Sequence, residues 1–77
     1  MNGNYYYLFF AGSYATEQAA DVLHRYGITA RVVKSPVMLQ NGCSFAVLVE
    51  AADADPAAKV LAQNNITVLH TITREYR

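Results

Sequence analysis

Tyr5-Tyr6-Tyr7-Leu8-Phe9-Phe10 (YYYLFF, residues 5–10) is the stretch from which the fold is read. Aromatic residues favour a pleated, extended backbone, and Leu8 is the one good helix former among them, so a strand is predicted here. Alternation sends Tyr5, Tyr7 and Phe9 to one face and Tyr6, Leu8 and Phe10 to the other. Both faces are apolar. That is expected of a strand in the middle of a sheet, or of one whose outer face meets another subunit.

Working outward, Ala11-Gly12-Ser13 reads as a turn, with Ser13 as N-cap of a helix over Tyr14 to Tyr26. Ala15, Ala19, Val22, Leu23 and Tyr26 recur at the spacing of one helical face. Glu17 and Asp21 toward the front and Arg25 at the end suit the helix dipole, and Gly27 supplies the left-handed residue that stops the helix. Ile28 to Val33 is β-branched and predicts the second strand. A long polar loop follows from Lys34 to Gly42, and its Val37, Met38 and Leu39 are expected to pack down. Cys43 to Glu50 is nearly continuous in apolar residues, as an interior strand should be. After a linker, Ala51 to Ala54, Asp55 and Pro56 read as N-cap and first residue of a second helix to about Gln63, with Ala57, Val60 and Leu61 inward. Ile66 to Ile72 predicts the last strand, and Thr73 to Arg77 a polar tail. No internal repeat of sequence is read, and no low-complexity segment.

The order strand, helix, strand, strand, helix, strand is the split βαβ pattern. The expected fold is therefore α+β and ferredoxin-like: one domain over residues 1–77, with an antiparallel four-stranded sheet and two helices on one face. The usual strand order, 4-1-3-2, makes the first and third strands interior, and those are the two most apolar strands of this chain.

Size and composition narrow the function. Seventy-seven residues bury only about 60 to 65% of their unfolded surface, so the stability margin is thin. A hydrophobic fraction of 53% is generous at this length and points to self-association or docking on a partner. Net charge is zero, charged residues are 16% of the chain, and there is no basic stripe, which argues against nucleic acid as a partner. One unpaired cysteine fits a reducing compartment. The apolar stretch Tyr5 to Ala11 is too short for a membrane span and lacks signal-peptide flanks. A cytoplasmic protein with no membrane association is expected.

Gly42-Cys43-Ser44 holds that cysteine. In the split βαβ topology, the end of the second strand, the loop after it and the start of the third strand lie at the edge where the first helix begins. Cys43 is thus expected beside the helix N-terminus at Ser13-Tyr14-Ala15. Backbone N–H groups and the positive dipole end there favour thiolate over thiol. Lys34 would add charge, and Gly12 and Gly42 would permit close backbone approach and leave room for a small group. The competing reading of Cys43 is a small buried hydrophobe.

The residues also carry a family likeness. Tyr6 to Phe10, Ser13 and the helix with Ala19-Ala20 and Leu23, Tyr26-Gly27-Ile28, Arg31-Val32-Val33 with Pro36, and Gly42-Cys43-Ser44-Phe45-Ala46 together resemble the selenium/sulfur carrier-like family of small bacterial and archaeal domains. The likeness covers about residues 5 to 49, and the second helix and last strand fit in outline. The family cysteine falls on Cys43, and Ser44 stands where glycine is usual. The resemblance implies that Cys43 carries sulfur or selenium as a persulfide or selenopersulfide between donor and acceptor proteins. Gly12, Ser13, Tyr14, Lys34, Gly42 and Ser44 are the expected binding residues around it.

The remaining candidates read as structural. His24 is expected at the helix boundary, and His70 as a partly buried histidine satisfied within the last strand. Neither has metal-site spacing to Cys43, so no metal or other cofactor is expected. The tyrosines suit a sheet face used for dimerisation better than base stacking. Asp53 and Asp55 are expected to cap the second helix. The leading function is a carrier with no turnover of its own. The alternative is a regulatory or assembly module that dimerises through a sheet face or edge and binds a partner or small ligand, with Cys43 structural. An enzyme using Cys43 as nucleophile lacks any base identifiable by spacing.

Overall fold

The computed structural model of the protein describes residues 3–35 and 45–76. Its elements are β1 (Gly3–Phe9), α1 (Ser13–Arg25), β2 (Ala30–Lys34), β3 (Phe45–Glu50), a 3-10 turn (Ala51–Asp53), α2 (Ala54–Gln63) and β4 (His70–Tyr76). The four strands form one sheet in the order β2-β3-β1-β4, and every neighbouring pair is antiparallel. This is the expected α+β, ferredoxin-like arrangement, with β1 and β3 interior.

The register explains why β1 is apolar on both faces. Leu8 stands across from Val47 of β3 and Thr71 of β4; Tyr7 stands across from Leu48 and Ile72. Leu8 and Phe10 point into the main core with Val47 and Val49 of β3, Ala19, Ala20, Val22 and Leu23 of α1, and Ala57, Val60 and Leu61 of α2. Tyr7 and Phe9 point the other way and pack with Ala46, Val33, Leu48 and Ile72 in a smaller cluster. Phe9 and Phe10 are both completely buried. Burial of a phenylalanine contributes about 1.5–3 kcal/mol, so one adjacent pair anchors both layers. The inward residues of α2 are the three read from its periodicity.

Several boundaries differ from expectation, each for a local reason. β1 begins at Gly3 because β4 runs on to Tyr76 and pairs with it, so the expected polar tail is largely strand. Ser13 is the first helical residue of α1 and Gly12 is the N-cap. α1 buries Thr16 and leaves Tyr26 exposed beyond its end. Lys34 belongs to β2, paired with Phe45, and does not open the loop. The expected linker forms a 3-10 turn, and α2 starts at Ala54 with Asp53 at the N-cap. Asp55 and Pro56 therefore sit inside the first turn. Proline is compatible there because the first four N–H groups of a helix have no intrahelical acceptor. The beginning expected for the third strand at Cys43, and the packing expected of Val37, Met38 and Leu39, lie outside the described residues.

The strands after each helix start later than predicted because each helix ends in the same closing motif. At α1, the Gly27 N–H donates to the His24 carbonyl and the Ile28 N–H to the Leu23 carbonyl, with φ +78° at Gly27. At α2, Asn65 donates to Ala62 and Ile66 to Leu61, with φ +60° at Asn65. Both are Schellman closures, with the isoleucine folded back onto the core beside the leucine. The residues correspond accordingly: Val22-Leu23, then Gly27-Ile28-Thr29, against Val60-Leu61, then Asn65-Ile66-Thr67. The two halves thus share this junction, a common capping motif that leaves the reading of no internal repeat in place.

Glycine adopts φ > 0 at no steric cost, whereas another residue costs about 1 kcal/mol. Gly27→Ala is therefore expected to lower unfolding free energy by about 1 kcal/mol, and Asn65→Gly to raise it by a few tenths or more. Urea denaturation of the two variants beside the parent checks this. Equal midpoints for Gly27→Ala and parent would contradict the closure's role.

Candidate functional site

The end of β2, the start of the described part of β3 and the N-terminus of α1 meet at one edge of the sheet. A groove of about 90 Å³ is lined there by Ser13, Thr16 and Glu17 of α1, Val32 of β2 and Phe45 of β3. Val32 and Phe45 are 42% and 43% exposed, so the floor of the groove is apolar and open.

The first turn of α1 forms one wall. Gly12 is extended, with φ −177°, and its carbonyl accepts from the Thr16 backbone N–H at 3.0 Å and from Thr16 Oγ1 at 2.8 Å. Thr16 is fully buried. Its hydroxyl thereby closes the first turn in the absence of a side-chain cap at Gly12. The N–H groups of Ser13, Tyr14 and Ala15 precede the first intrahelical bond and carry the positive end of the helix dipole.

Of the expected site residues, Gly12, Ser13 and Tyr14 come together at this helix start, and Lys34 lies at the matching end of β2, exposed and opposite Phe45. Tyr14 is 80% exposed and points out of the fold along α1 with Glu17 and Asp21. Gly42, Cys43 and Ser44 lie outside the described residues. Among the described residues, a Cβ at Gly12 would meet nothing within 4 Å. Thr16, Glu17, Val32 and Phe45 line the groove without having been singled out from sequence. Thr16 was legible, since it precedes Ala19, Ala20 and Leu23 at helical spacing. Phe45 was legible from its alternation with Val47 and Val49.

The histidines lie elsewhere. His24 is exposed on the last turn of α1, where its Nε2–H donates to the Ala30 carbonyl and ties the helix end to β2. His70 is exposed at the start of β4, across from Phe9, which corrects the expectation of partial burial. Among the described residues no group of histidine, cysteine, aspartate or glutamate is arranged to hold a metal ion, and no helix is long and apolar enough to cross a membrane.

The sheet, the two helices on one face and the groove at the head of α1 define a small α+β domain of ferredoxin-like arrangement. Residues 5–72 match the model of the family described as "Putative Se/S carrier protein-like". The chain belongs to that family. No match was found among curated proteins or among solved structures.

Losing the Thr16 hydroxyl removes a buried hydrogen bond and leaves the shape nearly unchanged. Thr16→Val is expected to cost about 1 kcal/mol, with Thr16→Ser keeping the bond. Chemical denaturation with amide exchange at Ser13 to Thr16 checks this. Unchanged protection in the valine variant would mean the hydroxyl does not hold the turn.

Proposed function

We propose that this protein is a sulfur or selenium carrier in which Cys43 accepts and donates the chalcogen atom. The observation that supports the reading most is the groove shared by Ser13 and Phe45. Cys43 stands two residues before Phe45 in the chain, and two residues span at most about 7 Å. In this reading the Cys43 backbone lies within reach of the head of α1. Backbone N–H groups and the helix dipole at that end favour a thiolate, or a terminal persulfide anion, over the neutral form. Family membership supports the same reading.

The chemistry is an exchange between sulfur atoms. The Cys43 thiolate attacks the outer sulfur of a donor persulfide, R–S–SH. A new S–S bond forms at Cys43, the donor's own S–S bond breaks, and the donor leaves as a thiolate. Delivery repeats the step with an acceptor as nucleophile. No external oxidant or reductant enters, and selenium takes the place of the transferred sulfur in the same scheme. Ser13, Tyr14 and the glycines flank the reacting atom in this reading, and Lys34 and Ser44 bind beside it. The carrier works in the cytoplasm between donor and acceptor proteins, as a homo-oligomer, and the chain forms a single domain.

Cys43 is expected to alkylate faster near neutral pH than an unperturbed thiol, and to gain the mass of one sulfur atom from a persulfide donor. Mass spectrometry of the intact protein reads both. Cys43→Ser is expected to abolish the gain, and Phe45→Ala to slow transfer without abolishing it. Alkylation at the rate of free cysteine, together with no mass gain, would sink the carrier reading. A Cys43→Ser protein that keeps its partner binding would then favour the assembly module.

A further inference from the structure

We propose that β4 is the self-association edge, and that two copies pair antiparallel about Thr73 to make one eight-stranded sheet. The proposal rests on the self-association put forward above and is independent of the sulfur chemistry.

The sheet has two free edges among the described residues, and they differ. β2 is short, five residues, and carries Arg31 and Lys34, charges that discourage strand addition. The Ala30 carbonyl at its start is already engaged by His24. β4 is seven residues, His70–Tyr76, without proline, lysine or glycine; its two charged residues, Arg74 and Glu75, are of opposite sign where those of β2 are alike, and it pairs only with β1. A strand of that kind presents a row of backbone groups ready to pair with another chain. Beside it, on the helix face, a groove of about 240 Å³ runs between α2 and the sheet, lined by Tyr6, Leu8, Ala54, Asp55, Val68 and Thr71. Thr71 and Thr73 are exposed, so the helices leave this side of β4 uncovered.

The occupant is a second copy because the strand complements itself in one register. Centring the pair on Thr73 overlaps all seven residues of β4. His70 then stands across from Tyr76 of the second copy, Thr71 from Glu75 and Ile72 from Arg74, with no like charges opposed. Moving the centre toward the C-terminus sets Arg74, then Glu75, against its own copy. Moving it to Ile72 shortens the overlap. Charge and paired length therefore select the same register.

Sedimentation of the reduced full chain over micromolar concentrations tests the proposal. A monomer–dimer equilibrium is expected. Thr73→Lys is expected to weaken it on the order of fivefold by placing two like charges across the dyad. Val32→Lys on the other edge should leave it intact. In a Cys43→Ser background, Thr73→Cys is expected to give a disulfide-linked dimer under a mild oxidant, because the two introduced sulfurs face each other. Absence of any dimer would overturn self-association altogether. A dimer dissolved by Val32→Lys but not by Thr73→Lys, with no cross-link from Thr73→Cys, would overturn the β4 assignment alone.

Discussion

The double pairing of β1 is the constraint on which the rest of the structure depends. β1 lies between β3 and β4, so its backbone groups are satisfied on both sides and its side chains are buried on both faces. Leu8 and Phe10 hold the helices, while Tyr7 and Phe9 gather the residues of the opposite face. Polar residues at these positions would leave unsatisfied groups in both layers. An interior strand in a chain this short therefore has to be apolar along the part paired on both sides, Tyr5 to Leu8.

Around that strand, each half of the chain is a helix closed by a left-handed residue and an isoleucine returned to the core. The closure uses glycine in one half and asparagine in the other. Both tolerate φ > 0, glycine for want of a Cβ and asparagine through its short polar side chain. The shared junction starts β2 and the approach to β4 in matching ways. It also brings the end of β2 and the start of β3 back to the head of α1. The groove between Ser13 and Phe45 follows from this routing. Thr16 keeps the wall of that groove in place by bonding the Gly12 carbonyl, because Gly12 has no side chain with which to cap the helix.

The helices sit unevenly over the sheet. α1 lies against β2 and β3, and α2 against α1 and β3, so the helix side of β4 is left to threonines and an open groove. The two edges of the sheet consequently differ in character. β2 is short and positively charged, and β4 is long and nearly neutral.

The amino-acid sequence by itself determined the element order, the central place of the YYYLFF stretch, the inward residues of α2 and the strand order, because these follow from periodicity and connectivity. It also carried the family likeness, on residues from Tyr6 to Cys43 and beyond. Only the tertiary structure decided where the strands begin, since the Schellman closures hold Ile28 and Ile66 out of the ladder. It alone decided that Gly12, and not Ser13, stands at the N-cap of α1, because the cap is defined by which carbonyl takes the first helical bond. It alone put Val32 and Phe45 beside Ser13, residues far apart in the chain. Contacts of that kind come from packing across elements, which no local pattern encodes.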